Sequence, residues 1–255
     1  MNHRQLRHLR DRGLNRQPRN QTKALRRPSK DHNFWTSPWT YFGLTFALIA
    51  IAIPIHSEMT TKRAIVILSL DSSASAIADV SVGENVCRNT IQRLRSGDTF
   101  VNIPYAETTE ITRNSKVGSP TTLFLHCDEY RNKKIAGRLG KSQGTSPMLL
   151  FDRINNSISA QRKQGNNDAV VVLSYLQAAE PGPNLPPLNF DLLADKIAAV
   201  QKQRGSVVLI GPTGDLRQQL DEMNAKRSEL KNLQICTVAE QDKCIREAVD
   251  LARQL

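Results

Sequence analysis

Asp71, Ser73 and Ser75 stand at alternate positions at the end of the apolar run that follows Arg63. One carboxylate and two hydroxyls at that spacing on a turn can converge on one centre. Such an oxygen-only donor set suits a hard cation such as Mg²⁺ rather than zinc. The same residue types also make turns and cap helices, because their side-chain oxygens accept from free backbone N–H groups. On these three residues alone both readings stand, a cation site or a helix cap.

The elements that position them follow from hydrophobic patterning. The run before Asp71 is short, continuous and rich in β-branched residues, as expected of a strand buried on both faces inside a parallel sheet. Ligands of such sheets gather beyond the carboxyl ends of the strands, where Asp71 falls. Residues 83–95 place Cys87, Ile91 and Leu94 on one helical face, and residues 100–103 and 122–126 read as short strands. Gly144, Thr145, Ser146 and Pro147 open a helix, with Ser or Thr as cap and Phe151, Ile154 and Ile158 along one side.

A second apolar strand covers residues 169–173, and a proline-rich loop at 181–187 delays the helix at 190–203. A strand at 206–210 precedes a helix capped by Thr213 that bears Leu216, Leu220 and Met223. A last strand at 233–236 leads to a helix at 240–253 with Ile245, Ala248, Val249 and Ala252 on one face. Repeated βαβ units predict an α/β fold, a mostly parallel, doubly wound, Rossmann-like sheet with helices on both faces. Gly140, Lys141 and Ser142 do not make a phosphate loop, because position 135 is Ile where the first glycine should stand.

The 255-residue chain has a formal charge of +11, but that charge is local. Residues 1–34 hold ten Lys or Arg against Asp11 and Asp31, a net of +8, which leaves only +3 for the rest. This first segment has almost no large apolar residues and is expected to be a disordered basic arm. Residues 39–55 contain no charge, at the short end of the roughly 17–25 residues that cross a bilayer, and Trp35, Trp39 and Tyr41 suit its interface.

A cleaved signal peptide is disfavoured by the length of the charged region and by an Ala-x-Ala that lies inside the apolar run. The expected division is therefore an arm at 1–34, a transmembrane anchor at 35–57 and a folded domain at 58–255. The positive-inside rule puts the amino terminus in the cytoplasm and the domain outside, in a bacterial periplasm. The arm is expected to sit on anionic lipid head groups. Cys87, Cys127, Cys236 and Cys244 lack zinc-ligand spacing and are expected to be small buried apolar residues, although an even count also admits disulfides in an oxidising compartment.

With these motifs in this order, residues 62–255 resemble a von Willebrand factor A (vWA) domain. Asp71, Ser73 and Ser75 match that family's first metal-site element, and Thr145 after Gly144 matches the second. The resemblance implies a metal-ion-dependent adhesion site: Ser73, Ser75 and Thr145 donating hydroxyl oxygens to Mg²⁺ or Mn²⁺, Asp71 bound directly or through water, and a partner carboxylate completing the shell. The third element departs from the family. Where Thr-Asp-Gly would follow the strand, this chain reads Ser174, Tyr175, Leu176 and Gln177, with Glu180 as the nearest acid and a candidate additional ligand. Fewer ligand charges imply weaker affinity for a hard cation.

The function expected from the resemblance is a membrane-anchored protein-interaction module with an unidentified protein partner. A metal-independent scaffold that docks envelope proteins is the alternative. An enzyme is not expected: a phosphoryl-transfer site built on Asp71 would want a second Asp at position 73, and no Gly-x-Ser-x-Gly elbow exists. Specific nucleic-acid binding is not expected either, because the arm has no base-stacking aromatic before Phe34.

Overall fold

The computed structural model describes residues 62–73, 76, 80–131, 144–179, 182 and 185–254. The expected arm and anchor, together with Ser75 and Glu180, lie outside the described residues. Among the described residues no helix is long and apolar enough to cross a membrane.

The elements run β1 (Ala64–Leu70), α1 (Val80–Arg93), β2 (Thr99–Asn102), β3 (Arg113–Lys116), α2 (Phe124–Arg131), α3 (Pro147–Lys163), β4 (Ala169–Tyr175), α4 (Phe190–Lys202), β5 (Gly205–Ile210), α5 (Gly214–Lys226), β6 (Leu233–Cys236) and α6 (Gln241–Gln254). One six-stranded sheet has the order β3-β2-β1-β4-β5-β6. Every pairing is parallel except β2 with β3. All residues of β1, β4 and β5 are buried, which is why their sequences are continuous apolar runs rather than alternating ones.

Strand alternation divides the core in two. Val66, Leu68, Val171 and Leu173 face Cys87, Ile91, Ile245 and Val249 of α1 and α6. Ile65, Ile67, Val170 and Val172 face Phe151, Ile154, Leu193 and Ile197 of α3 and α4. Each such side chain contributes about 1.5–3 kcal/mol on full burial. The parallel register gives the sheet a base, where the strands begin, and a rim beyond their carboxyl ends, where the chain turns back into helices.

Three expectations are corrected. Residues 122–126 are not a strand: Pro120–Leu123 is a 3-10 turn that runs into α2, so buried Leu123 and Cys127 share a helical face. The strand in that part of the chain is β3, whose sequence Arg-Asn-Ser-Lys alternates only in exposure. It sits at the antiparallel edge, where one side stays solvated and apolar residues are not required. The cysteines are buried as expected but not as thiols, because Cys87 bonds Cys127 and Cys236 bonds Cys244. Adjacent helices α1 and α2 bring the first pair together, and the turn from β6 into α6 the second. The strand expected at 169–173 also continues through Ser174 and Tyr175.

Candidate functional site

Asp71 is the first residue beyond β1. Its amide donates to Tyr175 O at 3.2 Å, and the next amide, of Ser72, donates to Tyr105 O at 2.7 Å. The chain is thus fixed on both sides as it leaves the sheet. Asp71 and Ser73 are buried, and Asp71 Oδ1 accepts the Ser73 amide at 2.9 Å. This is the turn bond that the capping interpretation anticipates. It occupies one lone pair and leaves the carboxylate aimed into the fold.

Thr145 arrives from a point 74 positions away. Ser146, not Thr145, caps α3: its side chain accepts from the Leu149 amide, with Pro147 in the first turn. The Ser146 amide donates to Ala106 O at 2.9 Å, which pins this loop to the one after β2. Thr145 is therefore left over from capping, and its buried Oγ1 lies 3.5 Å from both Asp71 carboxylate oxygens. That is longer than a usual O–H···O bond of roughly 2.5–3.0 Å. Two oxygens at right angles on Mg²⁺, each about 2.1 Å from the ion, stand about 3.0 Å apart, so Thr145 and Asp71 would have to draw closer to share one.

The structure brings Asp71, Ser73 and Thr145 together at the rim. It also adds residues that the sequence reading passed over. Ser69 precedes Asp71 by two positions and so shares its face of β1, and Ser174 is its register partner on β4. Both are fully buried, and among the described residues neither hydroxyl has a hydrogen-bond partner. Two orphaned hydroxyls beside a buried carboxylate make a polar floor that calls for water or hydrated cation. Their alternation with Asp71 was the signal in the sequence.

Beyond Ser174, in the stretch where the resemblance would put an acid, the chain has Tyr175 and Leu176, both buried. Leu70 pairs with Tyr175, so the next residue of that strand, Leu176, is level with Asp71, and it is buried in the apolar cluster under α3 and α4. Glu107, in the loop after β2, has no motif to announce it. A Cβ on Gly182 would meet Glu107 Oε1 at 2.7 Å, and one on Gly144 would meet Gly182 N at 2.4 Å. The proline-rich loop therefore lies directly against the Gly144-Thr145 turn, an approach open only to glycine, and Glu107 is at that contact.

In donor type, the Asp71 carboxylate and the Ser73 and Thr145 hydroxyls fit a hard divalent cation. Among the described residues no cluster of three or more His, Cys, Asp or Glu is gathered to hold a metal. Any cation here would depend on hydroxyls and on ligands from outside that set.

No family model matches the chain, and neither does any curated protein. Solved structures do. Proximal thread matrix protein 1 from the mussel byssus aligns over 75% of this chain and 48% of its own length, at 14% identity and a TM-score of 0.54. An aerotolerance-related membrane protein from Bacteroides fragilis aligns over 74% of this chain and 99% of its own, at 14% identity and a TM-score of 0.52. A von Willebrand factor type A protein from Catenulispora acidiphila aligns over 76% and 43%, at 12% identity and a TM-score of 0.50. This chain thus matches about half or less of the first and third of these proteins. Sheet order, a single antiparallel edge and these likenesses agree on one conclusion: the domain has the von Willebrand factor A fold.

Proposed function

We propose that this chain is a membrane-anchored protein-interaction module that engages its partner through the rim. The observation that carries this reading is the convergence of Asp71, Ser73 and Thr145 at one buried point from loops far apart in sequence. At the same end of the sheet, Leu149 in the first turn of α3, Leu192 in the first turn of α4 and Val238 after β6 are large apolar side chains left in solvent. Exposed apolar residues at the end that holds a polar centre suit a protein partner better than a small polar substrate.

In the finer form of the proposal, Asp71, Ser73, Ser75 and Thr145 hold Mg²⁺ or Mn²⁺. The cation would supply a positive centre for a carboxylate of the partner. The residues of this chain hold the cation and bury its inner side. The metal-independent scaffold remains the second reading, favoured by buried Tyr175 and Leu176 in the stretch where a third acid would stand.

Two observations support an extracytoplasmic domain. The four cysteines are joined in two disulfides, which persist in oxidising compartments. One structural neighbour is described as a membrane protein. The anchor at 35–57 belongs to this proposal.

The deciding experiment is calorimetric titration of Mg²⁺ and Mn²⁺ into the full chain in detergent, beside Ser73→Ala and Thr145→Ala. Saturable binding that both substitutions abolish is the expected result. Absence of saturable binding at millimolar metal would hand the rim to the metal-independent reading.

A further inference from the structure

The base of the sheet is basic in a way the rest of the domain is not. Lys62 and Arg63 lead into β1, Arg95 precedes β2, Lys116 ends β3, and Arg204 precedes β5; all five are exposed. Exposed Lys163 and Lys202 join them from the last turns of α3 and α4. The carboxylates in the same loops are Asp98, which is buried in an ion pair with Arg253, and half-buried Asp168.

Several cations of the helix flanks are held in ion pairs. There, Arg88 pairs with Glu84, Arg93 with Asp242, Lys196 with Asp152, Arg217 with Asp221 and Lys226 with Glu222. Arg63, Arg95, Lys116, Lys163 and Lys202 form no ion pair among the described residues. Basic residues at helix ends complement the helix dipole, which accounts for Lys163 and Lys202. It does not account for Arg63, Arg95 or Lys116, which lie in loops and at strand ends.

Two details add to the charge. Arg204 adopts a φ of 60°, a conformation that favours Gly or Asn, so backbone geometry did not select arginine there. Beside it, burial first and the Arg204 charge second lower the pKa of Arg162, with Asp168 opposing. Between Arg63, Lys116, Gln164 and Asn166 the base also opens a cleft of about 410 Å³ with a mostly polar lining.

We propose that this base is a docking surface for anionic phospholipid head groups, which seats the domain on the membrane that carries it. The inference rests on the anchor reading in one respect. If the span ends at residue 57, only residues 58–61 separate it from Lys62, a reach of about 14 Å fully extended. The chain enters the domain at its base, so on that reading Lys62 lies within about one or two Debye lengths of the lipid surface. Phosphate oxygens can then reach the cleft and the exposed ammonium and guanidinium groups around it. Docked this way, the rim points away from the bilayer, toward a partner.

The test is hydrogen exchange on the full chain in nanodiscs of phosphatidylcholine alone and of phosphatidylcholine with phosphatidylglycerol. The expected result is several-fold slower exchange at residues 95–98, 116–119 and 163–168 in the anionic discs only. That protection should vanish in high salt and in the triple variant Lys116→Glu, Lys163→Glu, Lys202→Glu, while residues 107–110 and 238–240 stay unchanged. Equal exchange in the two lipids overturns the proposal, as does protection that survives charge reversal.

Failure of the anchor reading shows separately, as a chain that does not remain with the discs. In that event the same exchange comparison is made with vesicles of both compositions added from outside. Protection confined to anionic vesicles then supports the base as a lipid surface, and equal exchange removes it.

Discussion

Two buried carboxylates, one at each end of the sheet, are held in different ways. At the base, Asp98 accepts from the Ala64 amide at 3.0 Å, the Arg95 amide at 2.8 Å and Arg253 Nη2 at 2.7 Å. At the rim, Asp71 accepts from the Ser73 amide at 2.9 Å and faces the Thr145 hydroxyl at 3.5 Å, with orphaned Ser69 and Ser174 nearby. The first arrangement is closed by a cation of the chain itself and ties β1, β2 and α6 together. At the second, the two donors described, the Ser73 amide and the Thr145 hydroxyl, are neutral. A buried carboxylate closed by a cation of its own chain, as Asp98 is by Arg253, acts as a rivet of the fold.

The comparison breaks most sharply at Asp98. Asp98→Ala leaves the Arg253 guanidinium buried without its charge partner, and the expected loss is about 3–5 kcal/mol of unfolding free energy. Urea unfolding of the chain measures it, and a loss below about 1 kcal/mol would mean that Arg253 finds solvent and that the base is not clamped there. Thr145→Val at the rim removes one loosely placed hydroxyl and should cost no more than about 1 kcal/mol, while abolishing any saturable Mg²⁺ binding. Equal stability losses at the two ends would erase the distinction between them.

The disulfides permit a second comparison, between a long and a short closure. Cys87–Cys127 spans 40 residues and Cys236–Cys244 only 8. By loop closure in the unfolded chain, replacing the first pair with Ser should cost about 4 kcal/mol and the second about 2.5 kcal/mol. Unfolding of each double variant under oxidising conditions gives both numbers. The reverse order would point to native-state packing of Cys244 at the rim, not chain entropy, as the dominant contribution.

The sheet was legible because β1, β4 and β5 are buried on both faces and so are apolar without interruption. The helices were legible because Ile154, Ile158, Ile245 and Val249 fall at helical spacing. The edge was not: β3 has no apolar face to betray it, and Leu123 with Cys127 fits a strand as readily as one turn of helix when only a few residues are read. At the site, Asp71 and Thr145 carry a pattern in their residue types. Glu107 carries none, because its nearness to Gly144 depends on how the loop after β2 folds over the start of α3. The basic base was hidden for another reason: its residues are scattered singly along the chain, and net charge by segment does not reveal a face assembled from loops.

The smallest effect tests the rim's electrostatics without touching Asp71. Glu240 Oε2 accepts from the Thr237 hydroxyl at 2.8 Å and from the Thr237 amide at 3.2 Å, and these bonds, the hydroxyl first, hold its pKa below the ordinary carboxylate value. A carboxyl depressed in the folded state adds stability above its unfolded pKa, and that contribution is lost as pH falls through the folded value. Thr237→Ala should move Glu240 back toward the ordinary value, though not all the way, because the amide bond remains. Carboxyl-carbon NMR titration reads the shift, and the stability gap between the two proteins should narrow as the solution is acidified through that range. An unchanged titration would assign the depression to the charges of Arg217 and Lys243 instead. The depression of Glu240 would then come from the wider field of those two cations and not from local hydrogen bonds.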